Sequence, residues 1–186
     1  MVITIIAEPR SGGTNLANWF IDKKDFTTLY EPITSPDKIW YKHGVSPKLW
    51  TYKTPHILIK ETYNIKTNFF ELIEISDKVI ILHRENIAEQ TESWLNATKT
   101  NNWDKVWVFK ENLIADHDAS YFYQIKNGIK ENYLNKNYFN ISYEELYYNS
   151  GFQKVLDYLN IDGLENKNFP YGSKYRINLN KPKSLI

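Results

Sequence analysis

Residues 2–20, "VITIIAEPRSGGTNLANWF", restrict the fold more than any other stretch of this chain. "VITIIA" (2–7) is a short β-branched run, apolar on both faces, as a buried parallel strand requires. It gives way to a glycine-containing turn over 8–13. From Thr14, a cap or first-turn residue, the spacing of Leu16, Trp19 and Phe20 predicts a helix. A strand feeding a glycine turn and then a helix is the basic unit of α/β folds. Its turn presents backbone N–H groups and the positive end of the helix to an anion.

The rest of the chain repeats the alternation. "FTTLY" (26–30), "HILIKETY" (56–63), "KVIILH" (78–83) and "YFNIS" (138–142) predict four more strands. Helices are predicted over 68–75, from about Asn86 to Ala97 or beyond, over 117–136 and over 152–161. The proline-rich 32–55 stretch and the tail from Asn166 lack periodicity, and the aromatic 103–116 stretch is ambiguous. The expected architecture is a three-layer P-loop NTPase-like α/β fold with a central, mostly parallel sheet of about five strands flanked by helices. A length of 186 residues fits one domain, 1–186. In such a sheet ligands sit beyond the carboxyl ends of the strands, which puts the residues after Ala7, Tyr30, Lys60 and His83 on one rim.

Composition narrows the function classes. A formal net charge of +1 opposes a role in coating nucleic acid, though not a small local anion site. The absence of cysteine removes disulfides, thiol catalysis and thiolate-held zinc, and fits a cytoplasmic location. No run is long enough to span a bilayer, and "VITII" is too short for a signal peptide. His43, His56 and His117 lack metal-ligand spacing.

The turn departs informatively from the nucleotide loop G-x-x-x-x-G-K-[ST]. Ala7 stands at the first glycine, Gly12 at the second, and Gly13 where the lysine belongs; the positive side chain is Arg10, inside the loop. A metal-dependent phosphotransferase also ends another strand in an aspartate that holds magnesium. Here "VIILHREN" ends in His83 and Arg84, and arginine repels a cation while attracting a second phosphate. The rim suits two separate monophosphates better than a magnesium-bound triphosphate, so metal-free transfer is expected.

Three segments, in order from Pro9 to Gly163, resemble the sulfotransferases that use 3′-phosphoadenosine 5′-phosphosulfate (PAPS). "EPRSGGTNL" resembles their 5′-phosphosulfate loop and "IILHRENIAEQTESW" their 3′-phosphate segment. "NISYEEL" with "FQKVLDYLNIDG" is similar to their late Tyr-Glu-Asp-Leu strand and subsequent helix. Gly13 departs from the usual threonine. The spacing from Arg84 to Ser93 is nearer the bacterial and carbohydrate-type branches.

The resemblance implies PAPS as donor, adenosine 3′,5′-bisphosphate (PAP) as product, no metal, and a small-molecule, carbohydrate or lipid acceptor. It makes Arg10 the group that stabilises leaving-group charge, with Ser11, Gly12, Gly13, Thr14 and Asn15 as surrounding donors. Arg84 and Ser93 become the 3′-phosphate clamp, and Tyr143 reaches toward adenine. Glu31, in "LYEP", looks like the strand-end base of glycolipid-type enzymes. Glu61 is its rival, because Thr62 stands where cytosolic enzymes carry a basic histidine. Lys60 matches the lysine of that strand and would touch the transferring group; Lys174 and Arg176 would close the tail over the donor. Plainer roles stay open: Asn15 as a first-turn residue, Ser93 and Glu31 as solvated polar groups, Tyr143 as core. A P-loop small-molecule or nucleotide kinase and a non-catalytic nucleotide-binding module are the alternatives.

Overall fold

The computed structural model describes residues 1–21, 23–34, 49, 52–100, 116–134, 136–167 and 169. Among them five strands form one sheet: β1 (Val2–Ala7), β2 (Phe26–Tyr30), β3 (His56–Thr62), β4 (Lys78–His83) and β5 (Phe139–Ser142). Their order is β2-β3-β1-β4-β5, and every pairing is parallel. The helices are α1 (Gly13–Ile21), α2 (Phe70–Glu74), α3 (Ile87–Thr100), α4 (Asp116–Ile129), α5 (Tyr143–Tyr148) and α6 (Phe152–Leu159). A wider π-helical turn, Lys130–Leu134, prolongs α4.

The two-residue period of the strands divides the core into two layers. Ile3, Ile5, Leu58, Ile80, Leu82 and Ile141 face Leu16, Ala17 and Phe20 of α1 and the apolar stripe of α6, namely Phe152, Val155, Leu156 and Leu159. Ile6, Ile57, Ile59, Val79 and Ile81 face the other way, onto Leu72 of α2, Ile125 and Ile129 of α4, and Tyr133. Both faces are covered, which explains why the strands read as continuous apolar runs rather than as alternations.

The strand expected over 138–142 is β5, and the family likeness of the next residues to a strand does not extend it. The Tyr-Glu-Glu-Leu segment forms α5, and only the four residues before it pair with β4. Ser142 ends β5 and caps α5: its side chain accepts a hydrogen bond from the Glu145 N–H at 3.1 Å. That is a conventional N-cap geometry, and it turns the chain sharply at the rim.

Because β1 lies between β3 and β4, the loop after Ala7 sits mid-rim. Ala7 pairs with Thr62 on one side and Leu82 on the other. The ends of β3 and β4 therefore bring Lys60 and Thr62 to one flank of the loop and Arg84 to the other. Lys174 and Arg176 lie outside the described residues.

Candidate functional site

The loop runs from Glu8 to Gly12. Arg10 and Gly12 hold left-handed backbone conformations, with φ of 62° and 82°. Glycine adopts this region without strain, whereas arginine does so only where its surroundings compel it. Ser11 is buried, and its hydroxyl donates to the Glu8 carbonyl at 2.7 Å, tightening the turn from within. Tyr147 of α5 donates its hydroxyl to the Gly12 carbonyl at 2.9 Å. A Cβ on Gly12 would come within 2.7 Å of the Tyr147 ring. Thr14 is exposed and Asn15 half-buried, both in the first turn of α1.

The two departures from the nucleotide-loop pattern compensate each other. A Cβ on Gly13 would lie 2.5 Å from the Ala7 methyl and 3.3 Å from Cε of Lys60. The methyl at position 7 thus fills the space that a side chain at 13 would need, and the stem of Lys60 passes beside it. The ammonium that the loop lacks is brought to its edge by β3. Gly13→Ala should cost about 1–3 kcal/mol, the usual penalty of overpacking. Adding Ala7→Gly should recover part of that loss. Denaturant melts of the two single variants and the double variant measure this, and simple additivity would contradict it.

On the β3 flank, Glu31 follows β2 with φ of 49° and donates its backbone N–H to the Lys60 carbonyl at 2.7 Å. Its Oε1 accepts from Lys60 Nζ, and from the Thr62 hydroxyl at 2.6 Å. Burial alone would raise the Glu31 pKa. The Lys60 charge and the hydrogen bonds from Lys60 and Thr62 outweigh it and hold the carboxyl below its ordinary value. Lys60 is buried, so this pairing also satisfies an ammonium that would otherwise be costly to desolvate.

Glu61 has different work. Strand alternation puts it on the face of Ile57 and Ile59, away from Lys60 and Thr62. It is fully buried and accepts from the Ile33 N–H at 2.7 Å and the Thr34 hydroxyl at 2.7 Å. Burial pushes its pKa up to about 7, although those hydrogen bonds pull the other way. It braces the turn that follows Glu31.

On the β4 flank, Arg10 and Ser93 meet directly: Arg10 Nε donates to Ser93 Oγ at 2.8 Å. Arg84 donates from Nη1 to the Arg10 carbonyl at 3.3 Å and from Nη2 to Glu89 Oε2 at 2.6 Å. Its Nε is 3.7 Å from Glu144 Oε1 and has no hydrogen-bond partner among the described residues. The guanidinium carbon lies 4.5 Å from the centre of the Tyr143 ring, a cation–π distance. Burial, with the Tyr148 hydroxyl adding to it, holds the Tyr143 phenol well above its usual pKa. The expected partners Arg84 and Ser93 are therefore joined through Arg10. Arg84 touches its carbonyl, and Ser93 its guanidinium.

A buried polar network behind the loop was not anticipated from the sequence. Glu8, 3% exposed, accepts at Oε2 from Lys126 Nζ at 2.8 Å, Gln90 Nε2 at 3.0 Å and the Arg84 N–H at 3.0 Å. Lys126 also donates to the Arg84 carbonyl at 3.0 Å and to Gln90 Oε1 at 2.9 Å. Gln90 in turn donates to the Pro9 carbonyl at 2.8 Å. Both backbone groups of Arg84 are thereby pinned to the loop. Glu144 adds a further brace, accepting from the N–H groups of Glu85 and Asn86 at 2.9 and 3.0 Å. Among the described residues, no group of three or more His, Asp or Glu is placed to hold a metal ion, and no helix is long and apolar enough to cross a membrane.

No protein-family model matches the chain, and no curated protein matches its sequence. Among solved structures 16 chains match. One is mouse sulfotransferase SULT7A1 complexed with PAP, at a TM-score of 0.60 and 17% sequence identity. The match covers 88% of this chain and 59% of the mouse chain, so this chain spans less than two thirds of that protein. The likeness shows that the chain has the α/β fold of a sulfotransferase, with its central five-stranded parallel sheet.

Proposed function

We propose that this chain is a sulfotransferase that carries a sulfuryl group from PAPS to a hydroxyl or amine of a small-molecule, carbohydrate or lipid acceptor. The observation that carries the reading is the distribution of charge about the loop. A lysine–carboxylate pair stands at the end of β3, and two arginines with a serine gather beyond the carboxyl end of β4. The residues fit such a donor. The loop at Gly12 and Gly13 leaves no room for a side chain, and Arg84 keeps an Nε–H without a hydrogen-bond acceptor beside the Tyr143 ring.

Arg10 and the N–H groups at the start of α1 would hold the 5′ end of the donor, and Arg84 and Ser93 the 3′-phosphate. Tyr143 offers its ring to the base. When bound, the donor supplies the sulfur that the acceptor attacks and a nucleotide phosphate on which charge accumulates. Glu31 takes the acceptor's proton on its carboxylate. Lys60 keeps Glu31 ionised and stands beside Gly13, near the developing charge, where a fixed cation is worth most.

A kinase of the same fold is the competing reading. Arg84 where a magnesium-binding aspartate would stand, and the crowding of any side chain at position 13, support sulfuryl transfer over it. Calorimetry with PAP and with ATP–magnesium separates them, and tighter binding of ATP would overturn the proposal. Arg84→Ala should weaken PAP by about 1.5–3 kcal/mol, the worth of charge-assisted hydrogen bonds. Adenosine 5′-monophosphate, lacking the 3′-phosphate, should escape that loss.

A further inference from the structure

Arg84 does not wait with an open guanidinium. Its Nη2 is engaged by Glu89 Oε2 at 2.6 Å, Nη1 by the Arg10 carbonyl, and its central carbon lies 4.5 Å from the centre of the Tyr143 ring. A carboxylate edge presents two acceptor oxygens to the guanidinium fork much as a phosphate edge does. Two carboxylates approach this side chain, and they differ in how firmly they are tied. Glu144 is anchored by the N–H groups of Glu85 and Asn86 and stays 3.7 Å from Nε. Glu89 is held by Arg84, and its side chain is 48% exposed against 11% for that of Arg84. Arg84 is fixed and Glu89 can swing into solvent. Its departure leaves the start of α3 intact, because the Glu89 N–H is satisfied by Asn86 Oδ1 at 3.2 Å.

We infer that Glu89 is a built-in competitor for the 3′-phosphate: its carboxylate occupies the Arg84 guanidinium until an arriving phosphate displaces it. This rests on Arg84 being the 3′-phosphate ligand proposed above. A phosphate that reached Arg84 with Glu89 still in place would meet like charge at close range, so binding is an exchange of one anion for another. The exchange lowers affinity for every 3′-phosphorylated nucleotide, product included, and leaves nucleotides without that group unaffected. Glu89 would therefore set how readily PAP leaves the site.

The test compares wild type with Glu89→Gln, which keeps the length and packing of the side chain while removing its charge. Calorimetry should show PAP binding roughly two- to fivefold tighter to the variant, the scale of a partly exposed ion pair. Adenosine 5′-monophosphate should bind both proteins alike. In an Arg84→Ala background the substitution should have no further effect on PAP. If PAP binds wild type and Arg84→Ala weakens it, while Glu89→Gln binds it no tighter or more weakly, Glu89 orients Arg84 instead, and this inference alone fails. A gain shared equally by adenosine 5′-monophosphate would reduce it to a general field effect and also overturn it. Failure of wild type and variant alike to bind PAP would remove both the inference and the reading beneath it.

Discussion

Lys126→Met is expected to destabilise the fold by about 3–5 kcal/mol, the cost of breaking a buried ion pair by removing one member. Glu8 is 3% exposed, and Lys126 is its cationic partner at 2.8 Å. Without the ammonium, a carboxylate remains out of water with, among the described residues, the Gln90 amide and the Arg84 N–H as its donors. Glu8→Gln should also be costly, since it leaves the ammonium facing a neutral group. The double variant Glu8→Gln/Lys126→Met should be milder than the sum, because no unpaired charge is then buried. Urea unfolding of the four proteins gives the coupling energy. A Lys126→Met protein within 1 kcal/mol of wild type would mean that water already reaches Glu8. The consequence for the site is local. The same ammonium and the same carboxylate hold the two backbone groups of Arg84, so PAP affinity should fall in the single variants even where they remain folded.

That network also shows where sequence reasoning stops. The strands were legible because burial on both faces writes itself as a local run of β-branched residues. The loop was legible because its strand, its glycine turn and its helix follow one another directly in the sequence. Lys126 and Glu8 stand 118 positions apart, and a single lysine on a polar helix reads as a solvated one. Nothing in either segment announces the other. Other features are written locally in the chain. Ser142 followed three residues later by Glu145 has the spacing of a capping box, and it opens α5 where family likeness suggested a strand. Strand alternation alone would have placed Glu61 on the face opposite Lys60, taking it away from the loop. Family spacing pairs Ser93 with Arg84, and Arg10, which nothing local marks as their link, touches both.

Glu31→Gln should lower the rate of sulfuryl transfer by roughly 10²- to 10⁴-fold, the range for removing a positioned general base. PAP affinity should change little, since the proposed reading gives Glu31 the acceptor's proton and no contact with the nucleotide. The pH profile gives a sharper test. A base acts while ionised, so the rate falls as pH drops through its pKa. Glu31 is held below its ordinary value of 4.5, because Lys60 and the hydrogen bonds it shares with Thr62 outweigh burial. The acid limb of kcat/KM should therefore lie below the usual carboxylate range. Lys60→Met removes the largest lowering influence and leaves burial unopposed except by Thr62, so the limb should move to higher pH as the rate falls. Thr62→Val should move it the same way by less, having lost one hydrogen bond and no charge. If Glu31→Gln retains transfer within tenfold of wild type, another group takes the proton. A Lys60→Met profile whose acid limb stays in place would likewise show that the titrating base is not the carboxylate Lys60 holds.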